Sequence, residues 1–352
     1  MTPLAIDGEG WKDVLWRVWR EFNRDRVMLI AAGATFYLLL AVFPALAVMV
    51  SVFGLVTDAH RIAGPLGMLR GVVPATAIDI VDSQLASLAS QNSAALSLGF
   101  SVSFLFALWS ANNGIKTLFE AMNVAYEERE KRSFIRLNLL ALLYTLGAML
   151  LALLAILGVG IVPLVVGLVG YSGFAQTLTA WLRWPVLFIV SAGSIALLYR
   201  YGPSRHPAKW RWVLWASVLV TAVWLATAAL FSWYLASFAN YNATYGSLGA
   251  IIAFMMWTWV SMVVLIMGAE LAAEAEHQSL CDTTSGPPRR RGERGAVMAD
   301  TIGAARPGAP ESRPSRPPKG GPGKKVAAAA VRFAAAIAIL GVGWLAGRFT
   351  RQ

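Results

Sequence analysis

The chain has 352 residues, of which 57% are hydrophobic and only 14% charged; a soluble domain carries nearer a quarter charged residues, so a soluble globular protein is excluded. The net charge of +11 would suggest nucleic acid in a soluble protein. Here the basic residues flank long apolar blocks, where they meet anionic lipid headgroups, and no nucleic-acid partner is expected.

Residues 1–26 contain no apolar core of signal type, so the first apolar block is expected to serve as an uncleaved insertion signal. Within them, WKDVLWRVWREF (11–22) puts Trp11, Val14, Leu15, Val18, Trp19 and Phe22 at helical spacing. Lys12, Asp13, Arg17, Arg20 and Glu21 fall mostly on the other side. A basic, tryptophan-rich helix of this kind lies in the membrane interface or packs on the protein's own cytoplasmic face.

A bilayer core about 30 Å thick takes about 20 apolar residues in helical form. Blocks of that length recur at 27–56, 96–119, 137–169, 184–201, 213–239 and 248–272, with a weaker one at 326–347. The expected fold is an all-α integral membrane protein: a six-helix transmembrane core over 27–280 and a seventh, C-terminal transmembrane helix at 326–349. In the first block, Ala31, Ala32, Gly33, Ala34 and Thr35 allow close helix approach, and Pro44 should kink the helix. Between blocks one and two, Ile78, Val81, Leu85 and Leu88 recur at helical spacing after Pro74, which predicts a short amphipathic helix. The third block is overlong and carries Gly158, Gly160 and Pro163 near one end, so a break or strong tilt is expected there.

Residues 238–250, FANYNATYGSLGA, read as a tight turn at the aromatic belt. Tyr241, Asn242 and Tyr245 in it are candidates for an outer gate, against the simpler reading of interface anchors. From 281 to 325 the chain is rich in Pro, Gly, Arg and Ser, which predicts a disordered cytoplasmic linker. The lone cysteine, Cys281, lies in it and rules out an internal disulfide. The last block holds a GxxxG between Gly343 and Gly347, a helix-pairing motif.

Charge orients the spans, because Lys and Arg mark the cytoplasmic side of short loops. Residues 1–26 carry five, 120–136 four, 200–212 four and 270–325 ten, whereas the alternate connections carry two, one and none. The expected arrangement has the amino terminus inside and residue 273 inside.

Polar residues within the spans carry the functional argument. Asn112, Lys116 and Glu120 are four apart and share one helix face near the cytoplasmic end of span two, with Asn113 alongside. Span six ends MGAELAAEAEH, which places Glu270 at about the depth of Lys116. A charge within hydrocarbon finds a partner or water. One reading therefore pairs Lys116 with Glu270 in a site open to the cytoplasm, with Tyr37 and Pro44 lining or hinging a path to it. The other has Lys116 snorkel to the headgroups while the glutamates end their helices.

Catalysis finds little support. His60, His206 and His277 form no HxxE, HxH or HExxH spacing, and the acidic run EERE (127–130) is interleaved with Arg129 and followed by Lys131. No catalytic residue, metal ligand or cofactor site is assigned, and no enzyme is expected.

Four stretches are similar to the YihY/BrkB inner-membrane proteins: AAGATFYLLLAVFPAL (31–46), LWSANNGIKTLFEAMNVAYEEREKRSFIRL (108–137), LYRYGPSRHPAKWRW (198–212) and FANYNATYGSLGAIIAFMMWTWVSMVVLIMGAELAAEAEH (238–277). The resemblance covers about residues 11–280 and implies a six-span bundle in the bacterial cytoplasmic membrane. Family members carry labels as a tRNA-processing ribonuclease, a serum-resistance factor, and cation/proton antiporters or lipid-handling transporters. Many relatives read GAELNAE where this chain reads GAELAAE, with Ala272 in place of the asparagine. The function expected is a transporter-like inner-membrane protein that moves a lipid or other envelope component. If the cargo is a lipid, Arg136, Arg200 and Arg205 are candidate headgroup contacts. The alternatives are a cation/proton antiporter with Glu270 as its titrating carboxylate, and a non-transporting scaffold for envelope integrity. Membrane lipids are the expected partners, with homo-oligomers possible.

Overall fold

The computed structural model describes residues 6–56, 93–168, 174–238 and 249–308. These residues form α1 (Gly8–Arg24), α2 (Val27–Val56), α3 (Ser93–Ala125), α4 (Phe134–Leu168), α5 (Phe174–Tyr201), α6 (Trp210–Phe238), α7 (Gly249–His277) and the four-residue α8 (Val297–Asp300). Among the described residues there is no β-strand, only an isolated antiparallel bridge between Ala208 and Thr284.

The long helices α2 to α7 form because their sequences are largely apolar on every side and leave the backbone to bond within the segment, as lipid requires. Phe134–Leu151, Trp210–Leu235 and Ile251–His277 are each long and apolar enough to cross a bilayer. Gly8–Arg24 and Val27–Val42 meet the same test as one unit bent by 60°. At the bend Arg26 adopts a left-handed φ of 50°, which ends α1 abruptly and starts α2 in a new direction. Helix α4 runs unbroken through positions 158–163. At 35 residues and 1.5 Å per residue it is about 52 Å long, so it tilts or projects beyond the hydrocarbon layer.

Each long helix packs on the next, α2 on α3 through to α6 on α7, and α7 closes the ring on α2 while also touching α3. Among the described residues the buried core gathers at the end of the ring that holds the start of α2 and the end of α7. It takes Val27, Ala31 and Ala34 from the start of α2, Phe119, Met122 and Ala125 from the end of α3, Ala196 and Tyr199 from α5, Ala216 from α6, and Ile266, Ala269, Ala272 and Ala273 from α7. Most are small, which lets backbones approach where lipid supplies no hydrophobic drive. Gly268 shows the tightness: a Cβ there would overlap Val220 of α6 and the hydroxyl of Tyr199. Ala272, where many relatives have asparagine, is fully buried in this apolar contact. Around the ring, Val102, Leu105, Leu139, Leu143, Ile189 and Leu230 face outward, a perimeter suited to acyl chains.

Two expectations need correction. The segment expected to begin a disordered linker is ordered over 281–308: Thr283, Thr284, Arg294, Met298 and Ala299 are buried. Its composition misleads because backbone carbonyls replace an apolar core. The buried Arg294 guanidinium donates to the carbonyls of Cys281 and Ala299 at 3.2 and 2.6 Å, and Asp300 accepts from the Gly292 and Arg294 amides. The second correction concerns α1. Asp13, Arg17 and Glu21, assigned to its polar side, are buried together with Val14 and Val18, while Leu15 and Trp19 are exposed. Helix α1 thus docks on α7 by a partly charged face and turns an apolar edge outward. The amphipathic helix expected near 78–88, the final span and its GxxxG lie outside the described residues.

Candidate functional site

The end of the ring that holds the described core also holds the basic loops, and the last turns of α7 organise it. Glu270, Glu274 and His277 follow one helix face and Glu276 another. Glu274 pairs with Arg17 of α1 in a contact buried on both sides. The same guanidinium donates to Gln278 Oε1 at 2.9 Å and to the carbonyl of Ala304 at 2.9 Å. Glu276 accepts from Arg205 at 2.9 Å on each oxygen and from Thr283 Oγ1 at 2.9 Å. Arg205 also lies 4.4 Å over the Tyr126 ring. The GAELAAEAEH segment therefore ties α1, the 200–209 loop and the ordered tail to one helix end. Arg205 and Arg200, candidate headgroup contacts by sequence, are instead structural: Arg200 donates to the carbonyl of Ala208 and is buried. Arg136 stays exposed.

A second layer fixes the loop after α3. Asn123 accepts from the Ser204 amide at 2.6 Å and donates to Glu130 at 2.9 Å, and Arg132 holds Glu130 at 2.6 Å. Burial works to raise the Glu130 pKa, but the hydrogen bonds from Arg132 and Asn123 outweigh it and hold the carboxyl at about 2.

Against α3 lies an open cleft of about 520 Å³ lined by Tyr37, Asn113, Lys116, Thr117, Glu120, Asn123 and the loop residues Glu128, Arg129 and Glu130. Next to it, between α3 and α4, runs a smaller groove of about 270 Å³, lined by Leu105, Leu108, Trp109, Leu139 and Leu142, with Asn112 and Asn138 at its polar end. Asn138 joins the two, because its Oδ1 accepts from Lys116 Nζ at 3.1 Å and from Asn112 Nδ2 at 3.4 Å. A polar chamber at the basic end thus continues into an apolar slot facing the perimeter.

The structure brings Tyr37, Asn113, Lys116 and Glu120 to one cleft and turns Asn112 into the adjoining groove. It does not pair Lys116 with Glu270. Glu270 is 1% exposed and lies near Asp25, at the joint between α1 and α2, while its Oε1 has no hydrogen-bond partner. Burial, and then the charge of Glu21, push the Asp25 pKa up. Sequence reasoning missed Asn138, Asp25 and Arg17. Asn138 is the second residue of the apolar block 137–169, and that lone polar position was the available signal. The side chain of Pro44 and residues Tyr241, Asn242 and Tyr245 lie outside the described residues. Among the described residues no three His, Cys, Asp or Glu side chains converge as metal ligands would.

Apolar helices with a polar, ion-paired base define a multi-pass helical membrane protein. Residues 18–293 match the family described as Virulence factor BrkB, and the chain belongs to that family. It is similar to the ribonuclease-like protein YfkH of Bacillus subtilis, at 34% identity over 69% of this chain and 88% of that one. It is also similar to a UPF0761 membrane protein of Tolumonas auensis, at 27% over 76% and 87%. A third relative, a UPF0761 membrane protein of Methylibium petroleiphilum, is 26% identical over 77% of this chain, and the match spans only 64% of that longer protein. No solved structure matches.

Proposed function

We propose that this protein is a transporter-like component of the bacterial cytoplasmic membrane that moves a lipid between its leaflets or toward the envelope. In this reading six helices cross the bilayer, and the amino terminus and basic loops lie on the cytoplasmic side. The charge asymmetry of the loops supports that orientation. The observation that carries the reading is the junction at Asn138, where a polar cleft meets an apolar groove opening on the perimeter. An amphipathic molecule needs a polar chamber and an apolar slot side by side; a small ion or soluble solute needs no slot. The test is reconstitution of purified protein in liposomes with fluorescent phospholipid, read by quenching of the outer leaflet. Accelerated exchange that falls in Leu108→Trp, which fills the slot, is the expected result; lipid exchange no faster than in empty liposomes overturns the reading.

The buried Glu270 carboxyl, with one oxygen lacking a hydrogen-bond partner, favours a second reading, exchange of a cation for a proton. Cation-driven acidification of proteoliposomes that is unchanged in Glu270→Gln removes it.

A further inference from the structure

The charges lining the cleft sort into two groups. Glu128 is held by Lys131 at 2.8 Å and Glu130 by Arg132 at 2.6 Å, so both carboxylates are spoken for within the protein. Lys116, Glu120 and Arg129 line the same cleft and have no charged partner among the described residues. Lys116 donates only to the neutral Asn138, which leaves two of its three ammonium hydrogens uncommitted. Glu120 is exposed to the cleft mouth with both oxygens open. Lys116 and Glu120 stand about one helical turn apart, about 6 Å along α3, with the cation deeper and nearer the apolar groove.

This order matches one kind of headgroup. A phosphodiester sits next to the glycerol and acyl chains, so it would meet Lys116 beside the groove, with Arg129 as a second cation. A primary ammonium joined to that phosphate by a two-carbon link would then meet Glu120, one turn further from the chains. We infer that the unpaired Lys116, Glu120 and Arg129, together with the apolar groove beyond Asn138, form a binding site for a zwitterionic phospholipid whose head carries a primary ammonium, as phosphatidylethanolamine does. The inference rests on the lipid reading above and names the substrate class for that same site. Each charge has a separate task. Lys116 and Arg129 hold the phosphate that all phospholipids share, and Glu120 selects the ammonium. An anionic head such as phosphatidylglycerol places hydroxyls at Glu120 and adds no cation there. A quaternary head such as phosphatidylcholine brings charge but no N–H to donate.

The test retains the full chain and reads the lipid that stays bound. Protein is purified from nanodiscs holding equal parts phosphatidylethanolamine, phosphatidylglycerol and phosphatidylcholine, and native mass spectrometry counts each retained species. Wild type is expected to retain phosphatidylethanolamine about tenfold over the other two, the effect of one charge-assisted hydrogen bond. Glu120→Gln should lose most of that preference while still retaining lipid, and Lys116→Met should lower retention of all three alike. Glu120 is exposed, so the first variant keeps the fold, which an unchanged thermal midpoint verifies. Retention led by phosphatidylglycerol or phosphatidylcholine, or a preference unaltered by Glu120→Gln, overturns the inference. Lipid exchange in the liposome assay without head preference leaves the transport reading standing and this one refuted. Selective retention without exchange does the reverse.

Discussion

Arg17 and Glu274 form a buried ion pair between helices far apart in sequence, and such pairs are sensitive to losing one member. The pair itself gains little over an apolar substitute, but a lone buried charge costs about 3–5 kcal/mol. Arg17→Met is therefore expected to lower the thermal unfolding midpoint in detergent substantially, and Arg17→Met with Glu274→Met should recover part of the loss. Equal midpoints for the single variant and wild type would contradict the role given to the pair. Glu130 makes a pH prediction. Its carboxyl is held at about 2, below its ordinary 4.5. Its stabilisation is thus complete above pH 4.5 and is lost as pH falls through the folded value. Wild type should lose stability more steeply than Glu130→Gln across that window; parallel melting curves would show that the Arg132 contact contributes nothing. These residues were only partly legible beforehand. Lys116, Glu120 and Asn113 stand out as polar positions in apolar sequence and do share a cleft. Arg17 and Glu21 look like the solvated side of an amphipathic helix, because nothing within α1 reveals that Glu274 of α7 and Gln278 just after it meet that side.

At the scale of elements, the join of α6 and α7 depends on Gly268. Any side chain there would meet Val220 and Tyr199, and overpacking of this kind costs about 1–3 kcal/mol. Gly268→Ala should lower the unfolding midpoint, whereas Gly147→Ala, at a position with open space around it, should raise it slightly or leave it unchanged. The tail supplies a second test. Ala304 accepts from Arg17 at 2.9 Å, Arg306 pairs with Glu9, and Val297 donates to Glu128 at 2.8 Å. Ending the chain at 308 should therefore leave α1 docked, while ending it at 280 should expose α1 to protease and lower the midpoint further. Protection of α1 equal in both truncations would contradict the latch. Hydrophobic periodicity cannot reveal such a segment, since its order comes from arginine and aspartate bonded to backbone groups.

For the whole molecule, the proposed orientation puts the 126–133 and 200–209 loops on the cytoplasmic side. In a Cys281→Ser background, Glu127→Cys is expected to resist a membrane-impermeant maleimide in spheroplasts and to react once the membrane is opened. Labelling before opening would invert the topology and move the cleft to the other face. Composition and block length by themselves determined that this chain is a helical membrane protein, because the cost of bare backbone in lipid leaves apolar segments of that length few alternatives. The uneven loop charge likewise set which ends group together. Only the tertiary structure decided how the charges are partnered: Glu274 with Arg17, Glu276 with Arg205, and Lys116 with Asn138. Helical spacing places a side chain on a face but is blind to which neighbour that face meets, and in a closed ring each helix has more than one neighbour.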